Sequence, residues 1–147
     1  MSCDQKLLAD TVRIPLSFFT EKLEIVKLDN RDEALVGQTG VKISDNYILV
    51  HGRRPNPFKL FDRKGNFLTN IGAIGQGPGE YQMVYDGKLD EANNRIYILP
   101  WNASQLLVYD LQGNVLDPIP LCLRCPKAKF NVDLTGGKVS IVLLPFK

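Results

Sequence analysis

Cys122-Leu123-Arg124-Cys125 is the first pattern in this chain that invites chemistry, because C-x-x-C spacing serves dithiol redox centres and zinc sites alike. A structural zinc needs about four ligands, and the chain holds one histidine, His51, three cysteines and no second C-x-x-C. A redox pair wants a helix N-terminus, where thiolate is stabilised, whereas Pro120 and Pro126 bracket this pair between β-type segments. Cys122 and Cys125 are therefore read as structural cysteines, or as a local disulfide in a connecting loop. No metal and no cofactor is expected. With His51 as the only imidazole, no Ser-His-Asp or Cys-His set can be assembled. Glu80 and Asp86 are candidates for a carboxylate pair, although a solvated Asp in a turn explains Asp86 as well.

The segment Gly72-Ala73-Ile74-Gly75-Gln76-Gly77-Pro78-Gly79-Glu80-Tyr81 is superficially like a phosphate-cradling loop. Its glycines permit tight turns and Pro78 fixes one φ. Phosphate loops, however, need a following helix N-terminus, with a lysine and a hydroxyl in the P-loop case. Nothing after Tyr81 reads as helix and no Gly-Lys-Ser/Thr follows. The expected role is a rigid crossover between two structural units.

Those units are visible as a repeat. Residues 46–68 and 94–116 align without a gap at an offset of 48, pairing Asn46/Asn94, Ile48/Ile96, Phe61/Tyr109, Asp62/Asp110, Gly65/Gly113, Asn66/Asn114 and Leu68/Leu116. A period of about 40 to 50 residues built from short strands marks a β-propeller or related array. Short apolar runs rich in β-formers, such as Ile96-Tyr97-Ile98-Leu99 and Leu106-Leu107-Val108-Tyr109, read as antiparallel strands. Each copy has four, the size of one propeller blade. The predicted fold class is all-β: four-stranded antiparallel blades at 41–84 and 85–121, and an incomplete blade at 130–147. About two and a half blades cannot close a ring of four to eight, so the chain is expected to be an incomplete portion of a longer propeller. Leu23 to Leu28 and Ala34 to Gly37 are expected to be extended, as outer strands completing a final blade.

Strand alternation gathers three connections at one end of the blades: 52–57, 75–81 and 100–105. Arg53, Arg54, Glu80, Tyr81, Trp101 and Asn102 lie there and are the expected ligand-binding residues, since loops on rigid scaffolds carry function and Arg, Tyr and Trp anchor interfaces. The competing reading packs Tyr81 and Trp101 between blades and leaves the arginines solvated.

A formal charge of +2 gives no field suited to nucleic acid, and 44% hydrophobic residues suffice for a core. The longest apolar runs fall far short of the roughly 20 residues of a spanning helix. Residues 1–22 are read as a leader and 23–147 as the partial propeller. Cys3 stands where a bacterial lipoprotein keeps its acylated cysteine, so a lipid anchor there is one reading and a chance cysteine the other.

Phe61-Asp62, Gly65-Asn66-Phe67-Leu68, Ile71-Gly72 and Gly75-Gln76-Gly77-Pro78-Gly79-Glu80-Tyr81 together resemble the six-bladed, NHL-like β-propeller lipoproteins of bacteria. Ile96-Tyr97-Ile98 and Tyr109-Asp110 with Gly113-Asn114 repeat the pattern. The resemblance implies a secreted or outer-membrane-anchored protein of the cell envelope. The function expected is a non-catalytic binding or scaffold propeller whose partner is a protein, peptide or glycan. The alternative is a propeller hydrolase or lyase whose catalytic residues lie mainly in blades absent from this chain.

Overall fold

The computed structural model describes residues 14–37, 39–52, 56–133 and 135–145. Strands dominate it. Four of them, β1 (Thr39–Ile43), β2 (Tyr47–Gly52), β3 (Phe58–Asp62) and β4 (Phe67–Ile71), form an antiparallel meander in chain order. The glycine-rich link folds on itself, with β5 (Ala73–Ile74) pairing in parallel with β6 (Glu80–Tyr81). A second meander follows, of β7 (Val84–Asp90), β8 (Arg95–Pro100), β9 (Ala103–Tyr109) and β10 (Val115–Cys125). The hairpin β11 (Ala128–Asp133) and β12 (Lys138–Leu143) turns through Gly136 and Gly137. The described helical elements are single 3-10 turns, Leu16–Phe18 and Asp32–Ala34.

The repeated Asp-x-x-Gly-Asn sequence makes the same turn twice. Asp62 accepts from the backbone N–H groups of Lys64 and Asn66, both at 2.9 Å, and from the Asn66 side-chain amide at 2.7 Å. Asp110 repeats this with Gln112 at 3.0 Å and with the Asn114 backbone and side chain at 2.8 Å. The Asn66 side-chain bond leads in holding the Asp62 carboxyl below its usual range. At Asp110 burial pulls upward, and the Asn114 and backbone bonds together outweigh it. Closing either turn requires positive φ, supplied by Gly65 at +91° and Gly113 at +88°.

The sheets stack face to face. Leu49, Phe58, Leu60 and Ile71 of the first meet Ile96, Ile98, Leu107 and Tyr109 of the second. The far face of the second, with Tyr97, Leu99, Leu106 and Val108, packs on Cys125, Ala128 and Phe130. The far face of the first, with Ile48, Val50 and Phe61, is covered by Ala34, Val26, Leu28 and Val36. Being covered on both faces is why β2, β8 and β9 each carry a continuous apolar run rather than an alternating one. Each fully buried Leu or Ile there contributes about 1.5–3 kcal/mol.

Three expectations need correction. Residues 23–28 and 34–37 belong to no ladder: they are an irregular cover, tied to the first sheet by the Asp29 N–H to Gly65 carbonyl bond of 2.8 Å. Lys59 holds the same cover, since its ammonium donates to the Glu33 carbonyl and, at 3.0 Å, to Asn70 Oδ1. Cys122 and Cys125 sit on β10, not in a connecting loop, as free thiols, one exposed and one buried. The strand extends as far as Cys125, with irregularities in its pairing with β9 between Leu116 and Ile119, where Pro118 falls, and between Pro120 and Cys125. Asp86 lies within β7, buried, rather than in a solvated turn.

Replacing Gly65 by Ala places a Cβ 2.1 Å from the Lys27 carbonyl oxygen; at Gly113 the nearest atom is the Asn70 carbonyl oxygen at 2.8 Å. Both φ values are also strained for Ala. We expect each substitution to cost more than about 1 kcal/mol in denaturant unfolding, with Gly65→Ala the larger loss. Unchanged midpoints would contradict this account of the turns.

Candidate functional site

The glycine-rich link and the β8–β9 turn face each other across an open cleft of about 360 Å³. Gln76, Gly77, Pro78, Gly79 and Glu80 form one wall, and Asn102, Ala103, Ser104 and Gln105 form the other. Glu80 and Asn102 are thus brought together. Trp101, 49% exposed, stands in the same turn, its backbone N–H donating to the Met83 carbonyl at 2.7 Å. Asn102 takes positive φ, +54°, which a short polar side chain tolerates.

Two of the expected binding residues make bonds within the fold. Tyr81 is 3% exposed and its ring stands edge-on to Phe58. Its hydroxyl accepts from the Phe58 N–H at 2.9 Å and donates to the Ile71 carbonyl at 2.5 Å, so it fastens the link to the first sheet. The Glu80 carboxylate folds back onto the link and accepts from the Gly77 N–H at 2.9 Å. Tyr109 completes the fastening from the second sheet by donating to the Gly79 carbonyl at 2.7 Å. Burial pushes both phenols well above their ordinary range and keeps them donors. Arg53, Arg54 and Cys3 lie outside the described residues.

A second constellation escaped the sequence reading. Strand β7 runs beside β1 and β11, and Asp86 at this junction is 3% exposed. Its Oδ1 lies 3.3 Å from Lys129 Nζ on β11 and 3.6 Å from Lys42 Nζ on β1. Its Oδ2 accepts from the Phe130 N–H at 3.4 Å. His51 on β2, directly opposite Gly40 on β1, stacks on Phe58 with ring centroids 4.9 Å apart. A Cβ on Gly40 would collide with the imidazole, and one on Gly87 with the Phe58 ring. The available signal was a charge set beside a glycine inside a β-type run, at Asp86-Gly87.

Residues 3–138 match the family described as a domain of unknown function, DUF4934. The chain belongs to this family. A crystal structure of a Bacteroides fragilis protein inferred to be exported resembles this DUF4934 chain with a TM-score of 0.65 and 24% identity. The match covers 80% of this chain and 33% of that one, so the DUF4934 chain spans about a third of that protein's length. At this identity the likeness shows the fold alone. Neither match points to the NHL-like propellers in particular. A comparison with curated proteins finds no match.

Chemically, the DUF4934 cleft offers backbone N–H and carbonyl groups, amides and a hydroxyl, with its one carboxylate already committed to the link. The inner junction offers two ammoniums and an imidazole around one carboxylate. His51 there is held below its ordinary pKa, first by burial and then by Lys42 and Lys129, with Asp86 opposing. Among the described residues no three His, Cys, Asp or Glu side chains are grouped as a metal set, and no described helix is long and apolar enough to cross a membrane.

Tyr81→Phe leaves the Phe58 N–H and one acceptor position of Ile71 unpaired in the core, so a loss of about 1–3 kcal/mol in urea unfolding is expected. Full stability would show that the tyrosine is only filler. His51 generates a pH prediction. Its folded pKa is lowered, so the unfolded chain takes up the proton first and stability falls as pH drops through about 6.5, levelling off below the folded value. Thermal midpoints measured from pH 7.5 to 5 should show that limb in the parent and a flatter one in His51→Gln. Identical slopes would contradict it.

Proposed function

We propose that this chain is part of an exported, envelope-associated β-propeller that binds a ligand at its loop end and carries out no reaction there. The observation that carries the reading is the cleft between the link and the β8–β9 turn, the turn in which Trp101 also stands exposed. Its walls pair a glycine-rich backbone with Gln76, Asn102, Ser104 and Gln105, groups that exchange hydrogen bonds with hydroxyls. An exposed indole alongside provides an apolar plate. That combination suits a neutral glycan better than a charged peptide.

The propeller assignment is supported by two four-stranded meanders related by a 48-residue repeat, stacked face to face with β1, β7 and β11 side by side. Six blades and a lipid anchor at Cys3 belong to the same proposal and rest on the sequence resemblance. Export is supported by the name of the Bacteroides fragilis neighbour. Arg53 and Arg54 are retained as contributors from the β2–β3 connection.

Trp101 is the chain's sole tryptophan and sits between two cleft-lining residues, Pro100 and Asn102, so its fluorescence reports on that turn. Titration with neutral oligosaccharides should quench or shift that emission saturably. Trp101→Ala and Asn102→Gly, the latter chosen because glycine accepts the positive φ there, assayed by calorimetry with the same sugar, should weaken binding about tenfold or more while unfolding midpoints stay put. Binding that survives both substitutions would place the ligand elsewhere.

A further inference from the structure

We propose that Lys42, Lys129 and His51, gathered around Asp86 where β1, β7 and β11 meet, form a second binding site, for a tetrahedral oxyanion such as a sulfate or phosphate group. The site is separate from the loop cleft and stands without it.

The charge count points this way. Two ammoniums from different strands converge on one oxygen of one carboxylate, at 3.3 and 3.6 Å, so their nitrogens lie within about 7 Å of each other. Among the described residues neither lysine has another acidic partner, which leaves one positive charge unbalanced. Each ammonium carries three donors; Lys129 spends one on Asp86, and Lys42 meets the same oxygen as an ion pair at 3.6 Å. Both lysine side chains keep solvent access, 36% for Lys42 and 56% for Lys129, so the spare donors are reachable.

The surroundings are shaped to hold these groups in place. Asp86 is itself fixed by the Phe130 N–H and by burial, so it positions the lysines rather than being open to an incoming anion. Gly40 and Gly87, one on each of two adjacent strands, leave the space in which the His51 and Phe58 rings lie stacked. Compact ammoniums act as point charges, a common way of holding a phosphate or sulfate group. A bound dianion would also offset the repulsion that Lys42 and Lys129 add to burial in holding the His51 pKa down.

His51 is the only histidine, so a single imidazole Cε1–H resonance reads the site without assignment. The experiment is a pH titration of that resonance in chloride and in sulfate at equal ionic strength, which removes general screening. Sulfate should raise the His51 midpoint by about half a pH unit or more. The sulfate-dependent rise should vanish in the Lys42→Gln, Lys129→Gln double variant and survive in Lys42→Arg, Lys129→Arg. The arginine pair keeps the charges and so guards against a simple folding defect. A sulfated disaccharide and a sugar phosphate, compared under the same conditions, tell which source the site prefers. No difference between sulfate and chloride in the parent, or a rise that persists in the glutamine variant, overturns the proposal.

Discussion

The two four-stranded sheets need a neighbour on both faces. The middle strands β2, β3, β8 and β9 are apolar on each side, so a lone meander would expose two hydrophobic surfaces. Stacking resolves this by letting the second sheet cover the first and the β11–β12 hairpin cover the second. On the remaining face of the first sheet the same need is met by an irregular segment, with Val26, Leu28, Ala34 and Val36 lying across Ile48, Val50 and Phe61. The molecule behaves as layers whose stability resides in their interfaces, as in repeat arrays.

Within those interfaces polar groups appear only where they fasten one layer to another. Tyr81 and Tyr109 bond the link to the sheets before and after it. Lys59 bonds the irregular cover to β3 and β4. Asp86 joins β7 to β1 and β11. All are deeply buried and all are partnered, and no described buried side-chain nitrogen or oxygen lacks a partner. Burial of such groups is tolerable because the bonds replace water.

The strands and turns were legible because their signals are local. The Asp-x-x-Gly-Asn turn shows its acceptor, its donors and its positive-φ residue within five positions, so both copies could be placed from sequence. The cover at 24–36 could not, because its extended residues mimic a strand and only the missing ladder distinguishes them. Tyr81 was ambiguous for a related reason. Whether a tyrosine in a glycine-rich link faces solvent or core depends on Phe58 and Ile71, strands away in sequence. The Lys42–Asp86–Lys129 junction was invisible because each residue, taken singly, is an ordinary charge, and only the stacking of three sheets assembles them. Only the glycines at 40 and 87 hinted at the crowding there.

The two sheets are also joined at the end remote from the link, where Asn46 gives its backbone N–H and its side-chain amide to the two oxygens of Glu91, at 3.1 and 2.5 Å. Greasy surfaces alone slide and rotate with little resistance, since dispersion is nearly indifferent to direction. A pair of layers clamped at both ends has lost that freedom. The angle between them becomes a matter of directed bonds, and a relaxed tilt at one clamp would have to break the other. Curvature in an array built this way is therefore set junction by junction, by a handful of tyrosines, amides and carboxylates. The stiffness of the whole follows from how few of them can be lost.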